Sequence, residues 1–173
     1  MQITRTITID TPVDRVWDIV GPGFTDADRW ACSIDRSEPH DGERRCDSSP
    51  FTGRVCETSI GTVNETVLEY DDIRRRLSYE AYAESMPGFV RRLINTWRVA
   101  GTDHGTTQVE MQLAVELAAP FNFVLGPLMR WRLGRILRQA LRDLKHFAET
   151  SEPSLAKAKA ISRQRKKPAR PAA

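Results

Sequence analysis

A chain of 173 residues, 40% hydrophobic and 28% charged, has the size and composition of one ordinary globular domain with a single core. That composition excludes a fibrous or collagen-like chain, and no run approaches the ~20 consecutive apolar residues of a membrane-spanning helix, so a cytoplasmic protein is expected. The net charge of +3 is uneven: residues 151–173 carry seven Lys/Arg against Glu152, a balance of +6, which leaves −3 for residues 1–150 by subtraction.

Residues 2–9 alternate apolar with polar side chains and are rich in β-branched types, which predicts a half-buried strand. Thr11 is placed to cap a helix that starts at Pro12, with Val13, Val16, Trp17 and Val20 at helical spacing up to Gly21-Pro22-Gly23. A second short helix is expected from Thr25 to Trp30, with Asp26 and Asp28 near its N-terminus. From about 31 to 118 the period is two. Strands are expected near 31–38, 52–59, 62–70, 74–84, 91–100 and 107–117, with a polar loop from Glu38 to Pro50.

Helical spacing returns after Pro120 and runs to about Thr150. Leu125, Leu128, Met129, Leu133, Ile136, Leu137, Ala140, Leu141, Leu144 and Phe147 are assigned to one side, with Arg130, Arg132, Arg135, Arg138, Arg142 and Lys145 mostly on the other. A helix of ~20 residues or more is ~30 Å long and needs one large concave partner, which only the sheet supplies. The expected fold is therefore α+β: a curved antiparallel sheet of about six or seven strands wrapped around a long C-terminal helix, with two short helices after the first strand. Residues 1–150 form this domain. Residues 151–173 are poor in large apolar side chains and end in prolines, which predicts a disordered basic tail.

Several segments, in this order, carry a family likeness: Ile7 to Val20 (ITIDTPVDRVWDIV), Gly53 to Cys56 (GRVC), Gly61 to Asp71 (GTVNETVLEYD) with Arg76 to Tyr79 (RLSY), and Gly126 to Met129 (GPLM) with Leu141 to Lys145 (LRDLK). Over residues 2–149 the chain resembles the polyketide cyclase/dehydrase branch of the START-like SRPBCC superfamily. The resemblance implies a helix-grip fold with a deep apolar cavity between sheet and long helix, receiving a hydrophobic lipid- or polyketide-like small molecule. It implies no universal catalytic motif, since the fold supplies a container and the site supplies the chemistry.

Strand parity nominates the lining, because alternate side chains face the helix. Leu93, Asn95, Trp97 and Val99 share one face of their strand, Leu77, Tyr79, Ala81 and Ala83 another, and Met111 and Leu113 belong to the dry face of the last strand. Tyr79, Asn95 and Trp97 either orient a ligand or are core residues whose polar atoms bond locally. Trp30, beside Trp17 and Phe24, and Phe89, in the Met86 to Phe89 loop, are candidates for the cavity mouth. There they either contact ligand or pack against the sheet.

Glu65 shares the parity of Val63 and Val67. Turned inward, it could serve as acid or base in a cyclisation or dehydration, a role open also to a tyrosine such as Tyr79; the alternative is a solvent-facing or arginine-paired carboxylate, with Arg54 and Arg98 as partners. Cys32, Cys46 and Cys56 are an odd number without CxxC spacing, so reduced thiols are expected. His40, His104 and His146 show no metal-ligand spacing, and no nucleotide-binding glycine pattern occurs, so neither metal nor cofactor is expected. The remaining function class is a tether. The basic tail and the arginine face of the last helix suggest a tether to membrane or nucleic acid, in which residues 157–170 would make weak contact with an anionic surface, with no specific nucleic acid expected.

Overall fold

The period-two segments pair as expected, and their register determines which side chains meet. A computed structural model describes residues 1–119 and 121–165; the side chains of 121–125, Leu125 among them, and of 164–165 are outside that description. The elements are β1 (Gln2–Ile9), α1 (Val13–Val20), a 3-10 segment (Pro22–Arg29), β2 (Ile34–Pro39), β3 (Gly53–Thr58), β4 (Gly61–Asp71), β5 (Arg76–Tyr82), β6 (Val90–Gly101), β7 (Thr107–Leu117), α2 (Phe121–Thr150) and α3 (Leu155–Arg165).

The seven strands form one antiparallel sheet in the order β1-β7-β6-β5-β4-β3-β2. The first strand therefore closes against the last, with Ile7 opposite Val109, while α1 and the 3-10 segment carry the chain to the far edge. Gly61 makes the tight β3–β4 turn with φ +113°, a backbone conformation that side chains rarely adopt. Along α2, Leu137, Leu141, Leu144 and Ala148 face the sheet and are at most 2% exposed. A seven-stranded sheet wrapped on a long C-terminal helix is the helix-grip fold. Among the described residues no helix is long and apolar enough to cross a membrane.

Four local expectations need correction. Helix α1 begins at Val13 behind Pro12, without a side-chain cap; the Thr11 hydroxyl instead donates to the Asp10 carbonyl, 2.8 Å away, and the Thr11 carbonyl accepts from Thr107 Oγ1. The second short helix is a 3-10 segment from Pro22, kinked at Gly23 and Asp26, and Thr25 does not cap it. Leu128 does not face the sheet but is 60% exposed, because at ~100° per residue it points away from Leu137 and Leu144, while Ile136 stands on the flank, 48% exposed at the cavity edge.

The fourth concerns the tail. Residues Leu155–Arg165 form α3; residues 166–173 lie outside the described residues. Ser154, Lys157, Ala160 and Ile161 recur at helical spacing on its inner side. Ser154 Oγ donates to Asp143 Oδ1 (2.5 Å), and Lys157 Nζ donates to the Ile34 carbonyl (2.6 Å); Asp143 and Lys157 are each 1% exposed. Composition misses this helix because its inward stripe holds a serine, a lysine and an alanine, with Ile161 its one large apolar residue.

Burial pushes the Lys157 ammonium below its ordinary range, against the pull of the nearby carboxylates of Asp28 and Asp35. With the folded value below the unfolded one, the unfolded chain binds more protons in the window up to about pH 10.4, so this group's contribution to stability rises with pH there and is lost as pH falls. Urea unfolding of the wild type and Lys157→Met is expected to shift in the wild type's favour between about pH 7 and about pH 10; a constant difference would contradict the buried ammonium.

Candidate functional site

Between the concave face of the sheet and α2 lies a cavity of about 370 Å³. Its lining follows strand parity throughout: Arg54, Cys56 and Thr58 from β3, Val63 and Glu65 from β4, Tyr79 and Ala81 from β5, Leu93, Asn95 and Trp97 from β6, Met111 and Leu113 from β7. Register sets these residues directly opposite one another, Arg54 across from Glu65, Tyr79 from Asn95 and Trp97 from Met111. Leu133, Ile136, Leu137 and Ala140 of α2 close the other side, and Trp30, Ala31, Ser33 and Ile34 form a wall where the chain leaves the 3-10 segment.

The polar end is built around Arg54, 5% exposed. Its Nε donates to Glu65 Oε2 at 2.5 Å, and its Nη1 donates to the Phe24 carbonyl. The guanidinium carbon stands 4.0 Å from the centre of the Phe24 ring and 5.6 Å from that of Tyr79. Burial is the largest influence and opposes the cation, but the charge and hydrogen bond of Glu65, together with Tyr79 and Cys56, outweigh it and hold the guanidinium more firmly protonated than usual. The neighbouring Cys56 thiol is pushed up to about 11, chiefly by burial, so it is a neutral thiol at physiological pH.

Tyr79 is 4% exposed, and burial together with the nearby Glu65 charge raises its phenol well above the usual range. Its oxygen accepts from Asn95 Nδ2 at 2.7 Å and is also hydrogen-bonded by Trp97. Tyr79 is therefore a protonated group held in place by two neighbours. Trp97 meets Trp30 edge-on with ring centres 6.3 Å apart. Trp30 Nε1 and Asn95 Oδ1 are buried and have no hydrogen-bond partner.

Seven of the eight residues nominated from sequence, Trp30, Glu65, Tyr79, Asn95, Trp97, Met111 and Leu113, line this one cavity. Phe89 does not. It sits in the β5–β6 loop beyond the strand, where its carbonyl accepts from the Ala118 amide. Of the other aromatics near the short helices, Trp17 donates from Nε1 to Asp72 Oδ1 (2.6 Å) and packs on Tyr70, while Phe24 lies between Phe51 and Tyr79. Both are packing residues. Glu65 is the arginine-paired carboxylate of the second alternative, yet it faces inward. Sequence reasoning missed Cys56, which the parity of β3 would have found, and Ile60, whose place at the hairpin turn leaves no periodic signal. Among the described residues no group of three or more His, Cys, Asp or Glu could hold a metal ion.

Comparison with known proteins agrees with this architecture. No curated protein matches the chain at a significant level. Among solved structures, a protein from Nitrosospira multiformis superposes with a TM-score of 0.67 at 21% identity, covering 87% of this chain and 98% of its own. A START superfamily protein from Mycobacterium smegmatis gives 0.68 at 14% identity, with 87% and 98% covered. BexL, the di-domain ARO/CYC of the BE-7585A biosynthetic pathway, gives 0.67 at 19% identity, with 84% of this chain and 45% of BexL covered. These likenesses bear on the fold. The sequence profile described as "Polyketide cyclase / dehydrase and lipid transport" matches residues 1–149, and the chain belongs to that family.

Proposed function

We propose that the cavity binds a compact apolar molecule, polyketide-like or lipid-like, that carries at least one hydrogen-bond donor and one acceptor. The observation that carries this reading is the pair of buried, unpartnered atoms in a largely apolar lining, Asn95 Oδ1 and Trp30 Nε1. A buried polar group left unsatisfied costs ~1–3 kcal/mol, which a ligand hydroxyl on Asn95 and a ligand carbonyl on Trp30 would recover. A volume of about 370 Å³ is near the lower end of the ~300–1,000 Å³ range for small-molecule sites and suits one compact ligand. The Tyr79 proton, on an oxygen already accepting from Asn95 and Trp97, offers a further donor.

A second reading, an enzyme of the cyclase or dehydratase type without metal or nucleotide, is favoured by the convergence of Glu65 and Tyr79 on the same cavity. In it Glu65 accepts a proton from carbon and Tyr79 donates a hydrogen bond to the adjacent oxygen. Against it stands the ion pair with Arg54, which engages the carboxylate.

Native mass spectrometry of the purified protein, with organic extraction of whatever it retains, tests the binding reading. Retention or uptake of an apolar molecule bearing a hydroxyl is expected, and Asn95→Leu should weaken it about tenfold. An empty protein that takes up no hydrophobic probe would overturn it. Glu65→Gln separates the two readings. A carrier keeps its affinity within about threefold, whereas an enzyme loses turnover with binding intact. Stability gives an independent check on the pair: Glu65→Leu leaves a buried guanidinium unpaired and is expected to cost ~3–5 kcal/mol, most of it restored by adding Arg54→Met.

A further inference from the structure

The outer face of α2 is unlike the rest of the surface. Arg132, Arg135, Arg138 and Arg142 recur at three- and four-residue spacing along one stripe, and all four are exposed. Eight arginines of the strands and turns are ion-paired, but among the described residues none of these four has a carboxylate partner. From Phe121 to Arg142 the sequence holds five arginines and no acidic residue. The same stretch exposes Leu128 and Trp131, 60% and 57% accessible, with Ile136 at 48% on the flank, and Arg135 rests over the Trp131 ring, 5.1 Å from its centre.

Cationic side chains interleaved with an exposed tryptophan and aliphatics over ~20 Å of helix are the composition of an interfacial membrane-binding surface. Aliphatic side chains bury in acyl chains and gain nothing by stacking on bases, which favours lipid over nucleic acid. The cavity opening adds a second argument. Ile60 on the β3–β4 turn and Ile136 on α2 both line the cavity and are exposed, at 67% and 48%. Its rim is therefore apolar and borders the arginine stripe. We infer that the outer face of α2, with the adjoining rim, docks on an anionic bilayer surface, setting the cavity opening against the lipid. The inference concerns the surface and holds whatever molecule fills the cavity.

Flotation of the full chain with phosphatidylcholine vesicles, with and without about 30% phosphatidylserine, tests it at low and high salt. Binding is expected only with phosphatidylserine and should weaken with salt. Trp17, Trp30 and Trp97 are at most 6% exposed, so a blue shift of tryptophan emission on binding reports Trp131 and should vanish in Trp131→Ser. At ~1 kcal/mol per arginine, Arg135→Ser with Arg138→Ser should lower partitioning about 30-fold. A chain ending at Arg165 should bind as the full chain does. Failure to float with phosphatidylserine at low salt, unchanged binding of the double variant, or loss of binding on truncation at Arg165 would each overturn the inference. So would tighter binding to a single-stranded oligonucleotide than to the vesicles, which would reassign the face to nucleic acid.

Discussion

The buried pair of Arg54 and Glu65 is the constraint around which the hollow end of this molecule is arranged. Two charges removed from water persist only where their remaining donors and acceptors are met. Arg54 meets that condition by giving Nε to Glu65 across the β3–β4 ladder and Nη1 to the carbonyl of Phe24. One side chain thus fixes the 3-10 segment to the sheet and aligns the Phe24 and Tyr79 rings beside its guanidinium. Tyr79 in turn engages Asn95 and Trp97 on the next strand. The polar wall of the cavity is consequently one connected network crossing β3 to β6, and Asn95 Oδ1 is the acceptor it leaves free.

The same strands are solid at one end and hollow at the other. Val67, Leu77, Val99 and Val109 sit at most 3% exposed, sharing the core with Val16 of α1 and Leu144 of α2. A few residues along each strand, the inward positions become Glu65, Ala81 and Asn95, and α2 offers Ala140. Small and polar residues at these positions leave room that close-packing would otherwise eliminate. Side-chain size along the strands thus makes room for the cavity.

Much of this was legible in the sequence because period two is a direct record of which face a side chain occupies. The alternation in 107–117, together with that of 91–100, selected Asn95, Trp97, Met111 and Leu113, and all four line the cavity. Parity also turned Glu65 inward, but it could not tell a free acid from one held by Arg54, since that depends on cross-strand register. Phe89 failed because it lies in a loop, where no period governs direction. Leu128 is apolar yet exposed, because apolar character does not by itself imply burial and helical angle sets it on the outer side. The helix α3 escaped notice because its anchors are a lysine, a serine and the buried Asp143, a polar set that composition reads as solvated.

The four tryptophans supply the most direct test of the central claim that this cavity is a ligand site. Trp30 and Trp97 line it, Trp17 is tied to Asp72 away from it, and Trp131 lies on the outer surface. Titrating ¹⁵N-labelled protein with 2-naphthol, an aromatic probe bearing one hydroxyl, and following the indole N–H resonances should move the Trp30 and Trp97 signals together and saturably. Those of Trp17 and Trp131 should stay in place. Unmoved Trp30 and Trp97 signals, or movement confined to Trp131, would contradict the account.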